Sequence, residues 1–104
     1  MKTITICGSM RFSAEMQTIA FELEAVRGYN VLQCTYNAAD LPVNVQMLDR
    51  LEAAHLRKIQ LSDAIYVVDI GGYIGQSVTK EIQYAQALGK EILYYSEEKQ
   101  SGLW

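Results

Sequence analysis

Two short apolar runs, Thr3-Ile4-Thr5-Ile6-Cys7 and Ala64-Ile65-Tyr66-Val67-Val68, each lead into a glycine-bearing turn followed by helical spacing. No other feature restricts the fold of this chain as much. A β-branched, apolar run bounded by turn residues reads as a buried strand. The first run ends at Gly8-Ser9. Beyond it, Ser13 stands in an N-cap position ahead of Met16, Ile19, Ala20, Leu23 and Val26, and Gly28 is the stop signal. The second run is the most apolar of the chain, as a strand buried on both faces should be. Its turn is Asp69-Ile70-Gly71-Gly72-Tyr73-Ile74-Gly75, and a helix starting near Gln76 or Ser77 should carry Val78, Ile82, Ala85 and Leu88 inward and stop at Gly89.

Between these units, Tyr29–Cys34 reads as a second strand and Thr35–Val45, with the only proline, Pro42, as a loop. Helical spacing returns at Leu48, Leu51, His55 and Ile59 and ends near Ser62. Ile92–Tyr95 is the last strand, and residues 97–104 read as a polar tail with an apolar end. Strands alternating with helices imply a parallel sheet with right-handed crossovers. The expected architecture is α/β, a single three-layer domain over residues 1–104. It should be flavodoxin-like (Rossmann-like), with four to five strands in order 2-1-3-4. Such sheets bind ligands beyond the strand carboxyl ends, where strand order reverses. That crevice lies between the two glycine-bearing turns.

Composition narrows the partners. The net charge is −3, and no basic run exceeds Arg57–Lys58, so the chain lacks the electrostatic footprint for duplex nucleic acid. No apolar stretch approaches the ~20 residues of a membrane span, and the N-terminus enters a strand pattern rather than a signal peptide. Cys7 and Cys34 are spaced neither as a metal ligand set nor as a disulfide framework. They read as small buried thiols, so no metal and no cofactor is expected and the cytoplasm is the expected location. A domain this small buries only about 60–70% of its unfolded surface. With the apolar end Leu103-Trp104 and five tyrosines from Tyr66 to Tyr95, this points to a homodimer or larger homo-oligomer.

Several residues bear on chemistry. In Gly8-Ser9-Met10-Arg11, glycine admits a ligand close to the backbone, free N–H groups face an anion, and Arg11 either grips phosphate oxygens or lies in solvent. In the second turn, Tyr73 and Ile74 read as an apolar wall for a base or sugar, with Gly72 and Gly75 binding beside them, or the whole turn is a mobile connection. Asp69, at a strand end, either binds ribose hydroxyls or caps the turn. Glu81 lies on one helix face with Ser77 and has no i±4 partner of opposite charge, which leaves it a pocket carboxylate or a solvated one. His55, the only histidine, sits on an apolar stripe, as a hydrogen-bonded core residue or as an acid–base group.

Together these residues resemble the nucleoside 2-deoxyribosyltransferase-like family, over nearly the whole chain from Ile4 to Tyr95. The carriers are Cys7-Gly8-Ser9-Met10-Arg11 and the run from Asp63 through Gly75, Ser77 and Glu81 to Ala85 and Gly89-Lys90. Short members read Gly-Tyr-Ile-Gly-x-Ser-x-x-x-Glu-Ile-x-Tyr-Ala, as this chain does. The resemblance implies a nucleoside or nucleoside monophosphate substrate and Glu81 as the nucleophile that attacks C1′ and forms a covalent glycosyl ester. In relatives that hydrolyse 5′-monophosphates it implies Ser9 and Arg11 as phosphate ligands. Ser77, Thr79 and Gln83 stand where characterised members tend to have glycine. His55 stands where they place a catalytic Asp, and a histidine can also protonate a leaving nitrogen. The expected function is N-glycosidic cleavage or deoxyribosyl transfer, with a non-catalytic nucleotide sensor on the same fold as the alternative. A flavin-binding module is third, since the first turn has only Gly8 and no hydroxyl-rich phosphate loop.

Overall fold

The computed structural model describes residues 1–104. Four strands form one all-parallel sheet: β1 (Thr3–Gly8), β2 (Asn30–Leu32), β3 (Ala64–Val68) and β4 (Glu91–Tyr94), in the order β2-β1-β3-β4. Ile4, Thr5, Ile6, Cys7 and Gly8 of β1 lie opposite Ala64 to Val68 of β3 in unbroken register. Helices α1 (Ser13–Phe21), α2 (Val45–Leu61), α3 (Gln76–Ala87) and α4 (Tyr95–Gln100) flank the sheet. The expected class and strand order are those observed.

The period-two alternation of the central strands divides the core. Ile4, Ile6, Ala64, Tyr66 and Val68 face one side and meet Met16, Ile19, Ala20 and Leu23 of the first helical segment. Cys7, Ile65 and Val67 face the other and meet Ile59 of α2 and Val78, Ile82 and Ala85 of α3. All five residues of β3 are buried. Cys7 is thereby committed to the face shared with α2 and α3.

Gly8 has a packing reason that the sequence reading placed in ligand approach. A Cβ there would meet Met16 Sδ at 2.6 Å and Val68 Cβ at 3.2 Å. Past it, Ser9 caps a short 3-10 turn, Met10–Phe12, accepting from Arg11 N at 3.3 Å, and α1 follows at Ser13. Ser13 is therefore the first residue of α1 and not its N-cap, a place held by Phe12 without a side-chain cap.

Other expectations need correction. After Phe21 the helix widens into a π-helical turn, Glu22–Val26, and Val26 ends 68% exposed rather than on the buried stripe. An extra residue in the turn shifts the angular position of everything after it. Leu88 caps the end of α3 and is exposed as well. The second strand is only Asn30–Leu32. The last strand ends at Tyr94, because Tyr95 begins α4.

Residues 97–104 are not a tail. Glu98 of α4 accepts both terminal guanidinium nitrogens of Arg27, at 2.8 and 3.0 Å, and the Tyr66 hydroxyl at 2.7 Å. Trp104 Nε1 donates to that hydroxyl at 2.8 Å, and the indole packs against the core beside Tyr95. Trp104 and the fully buried Tyr66 are therefore spent on the fold, and neither supports the association argument made from the sequence.

Candidate functional site

The carboxyl ends of β1 and β3 point toward a cavity of about 610 Å³ that reaches from the Gly8 turn to the start of α3 and along α2. Gly8, Ser9 and Met10 line it from the first turn, and Tyr73, Gly75 and Ser77 from the second. His55 and Glu81 form part of its wall. The two turns selected from the sequence thus share one crevice, at the reversal of strand order.

His55 Nε2 lies 3.2 Å from Glu81 Oε1, and both side chains are mostly buried, with 12% and 18% of their surface exposed. The mid-helix place of His55 faces the crevice because α2 packs along the Cys7 face of the sheet. Cys7 Sγ is 3.5 Å from the same Nε2. An Nε2–H donated to the carboxylate leaves Nδ1 as the ring's lone-pair nitrogen, and Nδ1 is buried without a partner. Burial, with Glu81 close by, pushes the Cys7 thiol well above its ordinary pKa, so Cys7 is a protonated thiol. Sulfur, ring nitrogen and carboxylate oxygen all lie within 4.8 Å of one another.

Arg11 is exposed and is not in the cavity wall. Its guanidinium carbon lies 3.7 Å from the centroid of the Tyr73 ring, which does line the cavity. This stacking joins the two turns. A stacked guanidinium presents its face to the ring and keeps its N–H groups at the edge. None of them has a hydrogen-bond partner in the protein, so that edge is free. Tyr73 is also edge-on to Phe12, at 6.1 Å. Gly71 and Gly72 have φ of +65° and +80°, which explains two of the three glycines by backbone conformation. Gly72 lies outside the cavity wall, contrary to its expected role in binding.

Asp69 holds the fold rather than a ligand. It is 5% exposed, and its two oxygens accept from Ser96 N at 2.8 Å and Ser96 Oγ at 2.6 Å. Its carboxylate fixes the start of α4 to the end of β3 and is not free for ribose hydroxyls. The sequence reading could not reach this, having no α4 for Asp69 to hold.

The structure adds lining residues that the sequence reading passed over. Lys58 and Lys80 bring positive charge to the cavity wall, and Cys34 adds a thiol there. Lys58 is tied to Gln33 O at 2.8 Å. The only signal for Lys80 was its place beside Glu81. Gly75 caps α3 with no side chain, and Gln76 and Ser77 of its first turn line the cavity, a helix start of the kind that suits an anion. A second groove, of about 590 Å³, lies between α1 and the Leu103-Trp104 end, and Glu15 and Glu22 are its only charged residues.

No protein-family model matches the chain, and no curated protein matches it in sequence. In structure it is similar to a conserved protein from Enterococcus faecalis V583, with a TM-score of 0.62 and 18% identity, over 90% of this chain and 62% of that one. At that identity the likeness carries the fold alone. The chain spans less than two thirds of that neighbour's length. No helix is long and apolar enough to cross a membrane.

Proposed function

We propose that this domain cleaves or transfers the N-glycosidic bond of a nucleoside or nucleoside monophosphate, with Glu81 as nucleophile and His55 as its acid–base partner. One observation carries the reading: a carboxylate and an imidazole from different helices, 3.2 Å apart, in the wall of a cavity bounded by both glycine-bearing turns. A weakly basic carboxylate suits attack on an oxocarbenium-like carbon. The C1′–N bond breaks as C1′–O forms to Glu81, and the base leaves with the bonding pair and takes a proton, which this reading assigns to His55. Water hydrolyses the ester, or a second base displaces it. His55 holds one carboxylate oxygen and thereby aims the other. The resemblance of the Gly8–Arg11 and Gly71–Glu81 segments to the deoxyribosyltransferase-like family supports the same roles.

The test is direct. Wild-type protein incubated with the common deoxynucleosides and their monophosphates should release free base, seen by chromatography. A fluorinated sugar should leave a glycosyl adduct on Glu81 in the mass spectrum. Tight binding of a nucleotide with no base released from any of them would select the sensor reading instead. That alternative draws on Ser77 and Thr79, which stand where the family tends to have glycine.

Phosphate recognition is assigned to Ser9 and Arg11, whose guanidinium edge has no partner. Monophosphates should bind better than their nucleosides, and Arg11→Ala should remove about 1.5–3 kcal/mol, or about 10- to 150-fold, of that difference. Equal affinity of wild type for both ligands, measured by calorimetry, would assign Arg11 to stacking on Tyr73 only.

A homodimer remains part of the proposal, on new grounds. Leu48 and Leu51 of α2 are 53% and 41% exposed at the cavity wall, and Leu41, Val43 and Val45 are exposed before them. An apolar stripe of this kind, left open beside a pocket, marks an interaction surface. Sedimentation should show association at roughly tens of micromolar protein, and a clean monomer there would oppose it.

A further inference from the structure

The thiol of Cys7 contributes nothing to the glycosidic reading, yet it lies beside both of the groups that do. We propose that Cys7, His55 and Glu81 form a binding site for a zinc-like transition-metal ion, with the fourth coordination position open to the cavity. This inference does not rest on the glycosidic reading.

Geometry comes first. A tetrahedral zinc with Zn–S of about 2.3 Å and Zn–N of about 2.0 Å sets sulfur and nitrogen about 3.5 Å apart, and its nitrogen and carboxylate oxygen about 3.3 Å apart. Cys7 Sγ and His55 Nε2 are 3.5 Å apart, and His55 Nε2 and Glu81 Oε1 are 3.2 Å apart. Two edges of the tetrahedron are therefore present before any ion arrives. The three ligands come from β1, α2 and α3, elements locked together by one core cluster, so little ordering remains to be done on binding.

Chemistry narrows the ion. A thiolate with an imidazole suits zinc and its neighbours and disfavours magnesium and calcium, which prefer all-oxygen shells. Binding exchanges the Cys7 S–H bond for a metal–sulfur bond and releases that proton to solvent. A divalent ion with one thiolate, one neutral imidazole and one carboxylate is a neutral set, which suits a mostly buried place. His55 must then carry its ring proton on Nδ1, which has no acceptor in the protein. The site should accordingly bind about 10- to 100-fold more weakly than one with a second-shell partner. Three protein ligands and an open position toward a cavity are the pattern of zinc sites that hold water or a substrate group, rather than of closed structural ones.

The ion would take His55 Nε2, to which the glycosidic reading gives the proton, and Glu81 Oε1, the oxygen that His55 holds in that reading. A bound ion would therefore remove the proton donor and draw charge from the carboxylate, and any base release should fall in proportion to metal occupancy.

The test uses the full chain and cobalt(II), with zinc as competitor, and needs no nucleotide. Wild type should bind one cobalt with visible tetrahedral bands and a thiolate-to-cobalt charge-transfer band, and zinc should bleach both. Cys7→Ser should lose the charge-transfer band and weaken zinc binding at least about 100-fold, more than the loss of a second-shell group. Cys34→Ser, a change to the thiol that lines the cavity, should keep both. Should Cys7→Ser fold poorly, Glu81→Gln serves in its place and should also weaken zinc binding by at least about tenfold. No charge-transfer band in wild type, or a band that follows Cys34 rather than Cys7, would overturn the site. A metal site without base release, or base release without a metal site, separates this inference from the glycosidic one.

Discussion

Glu81→Gln is expected to slow base release from a deoxynucleotide by at least about a thousandfold, on the order of 4 kcal/mol in the barrier. The amide keeps the side chain's shape, and its oxygen still accepts from His55 Nε2. What it loses is the negative charge and the nucleophilic oxygen. Nucleotide affinity should therefore survive, since the contacts assigned to Ser9 and Arg11 are untouched. Single-turnover kinetics beside a calorimetric titration would separate the two quantities. Equal turnover by Glu81→Gln and wild type would remove Glu81 from the mechanism whatever the fold.

The second large effect is on stability, and it concerns residues 97–104. Glu98 is 12% exposed and Arg27 23%, and Glu98 also accepts from Tyr66. Glu98→Ala leaves Arg27 and the Tyr66 hydroxyl without their acceptor in a mostly buried place, while Trp104 Nε1 keeps the Tyr66 oxygen. Loss of one partner from a buried pair costs about 3–5 kcal/mol. Because Arg27 keeps some access to water, about 3 kcal/mol is the better expectation, or a fall in Tm of about 12 °C or more for a domain of this size. Thermal unfolding at neutral pH would measure it. A fall of only one or two degrees would show that the C-terminal helix adds little to the fold.

The same group gives a pH dependence of known sign. Hydrogen bonds from Arg27, with smaller contributions from Tyr66 and the nearby positive charge, hold the Glu98 carboxyl below its ordinary value against the opposing cost of burial. A depressed folded pKa means that the unfolded chain takes up the proton first. The stabilisation is complete above the ordinary glutamate value and is lost as pH falls through the lower folded one. Wild type should thus lose stability on acidification through that window, and Glu98→Ala should show a shallower decline.

The two grooves also differ in what they offer to chemistry. The crevice between the glycine-bearing turns joins an imidazole, two carboxylates (Glu52 and Glu81) and the Cys34 thiol to two lysines and an uncapped helix start, with the buried Cys7 thiol beside His55 and Glu81. The groove beside Trp104 has two glutamates and a largely apolar lining, with no histidine, cysteine or lysine. Placement of the site therefore follows from residue chemistry, since their volumes are nearly equal.

Local pattern determined a great deal. The strands around Ile6 and Val67, the helices carrying Met16, Ile59 and Ile82, and the glycine-bearing turns all follow from periodicity and turn chemistry within a few residues. The parallel order followed from the alternation of elements. Since a doubly wound sheet has one place where strand order reverses, the crevice followed as well. What the sequence could not determine is held by contacts between distant residues. Asp69 accepts from Ser96, 27 residues on, and Arg27 pairs with Glu98, 71 residues on. Those contacts turned an apparent tail into α4 and a free carboxylate into a structural one. Cys7 and His55 are 48 residues apart, and nothing in their spacing joins them. They meet because strand alternation turns Cys7 toward the face on which α2 and α3 pack, and only the tertiary packing of those helices sets imidazole, carboxylate and thiol on one point.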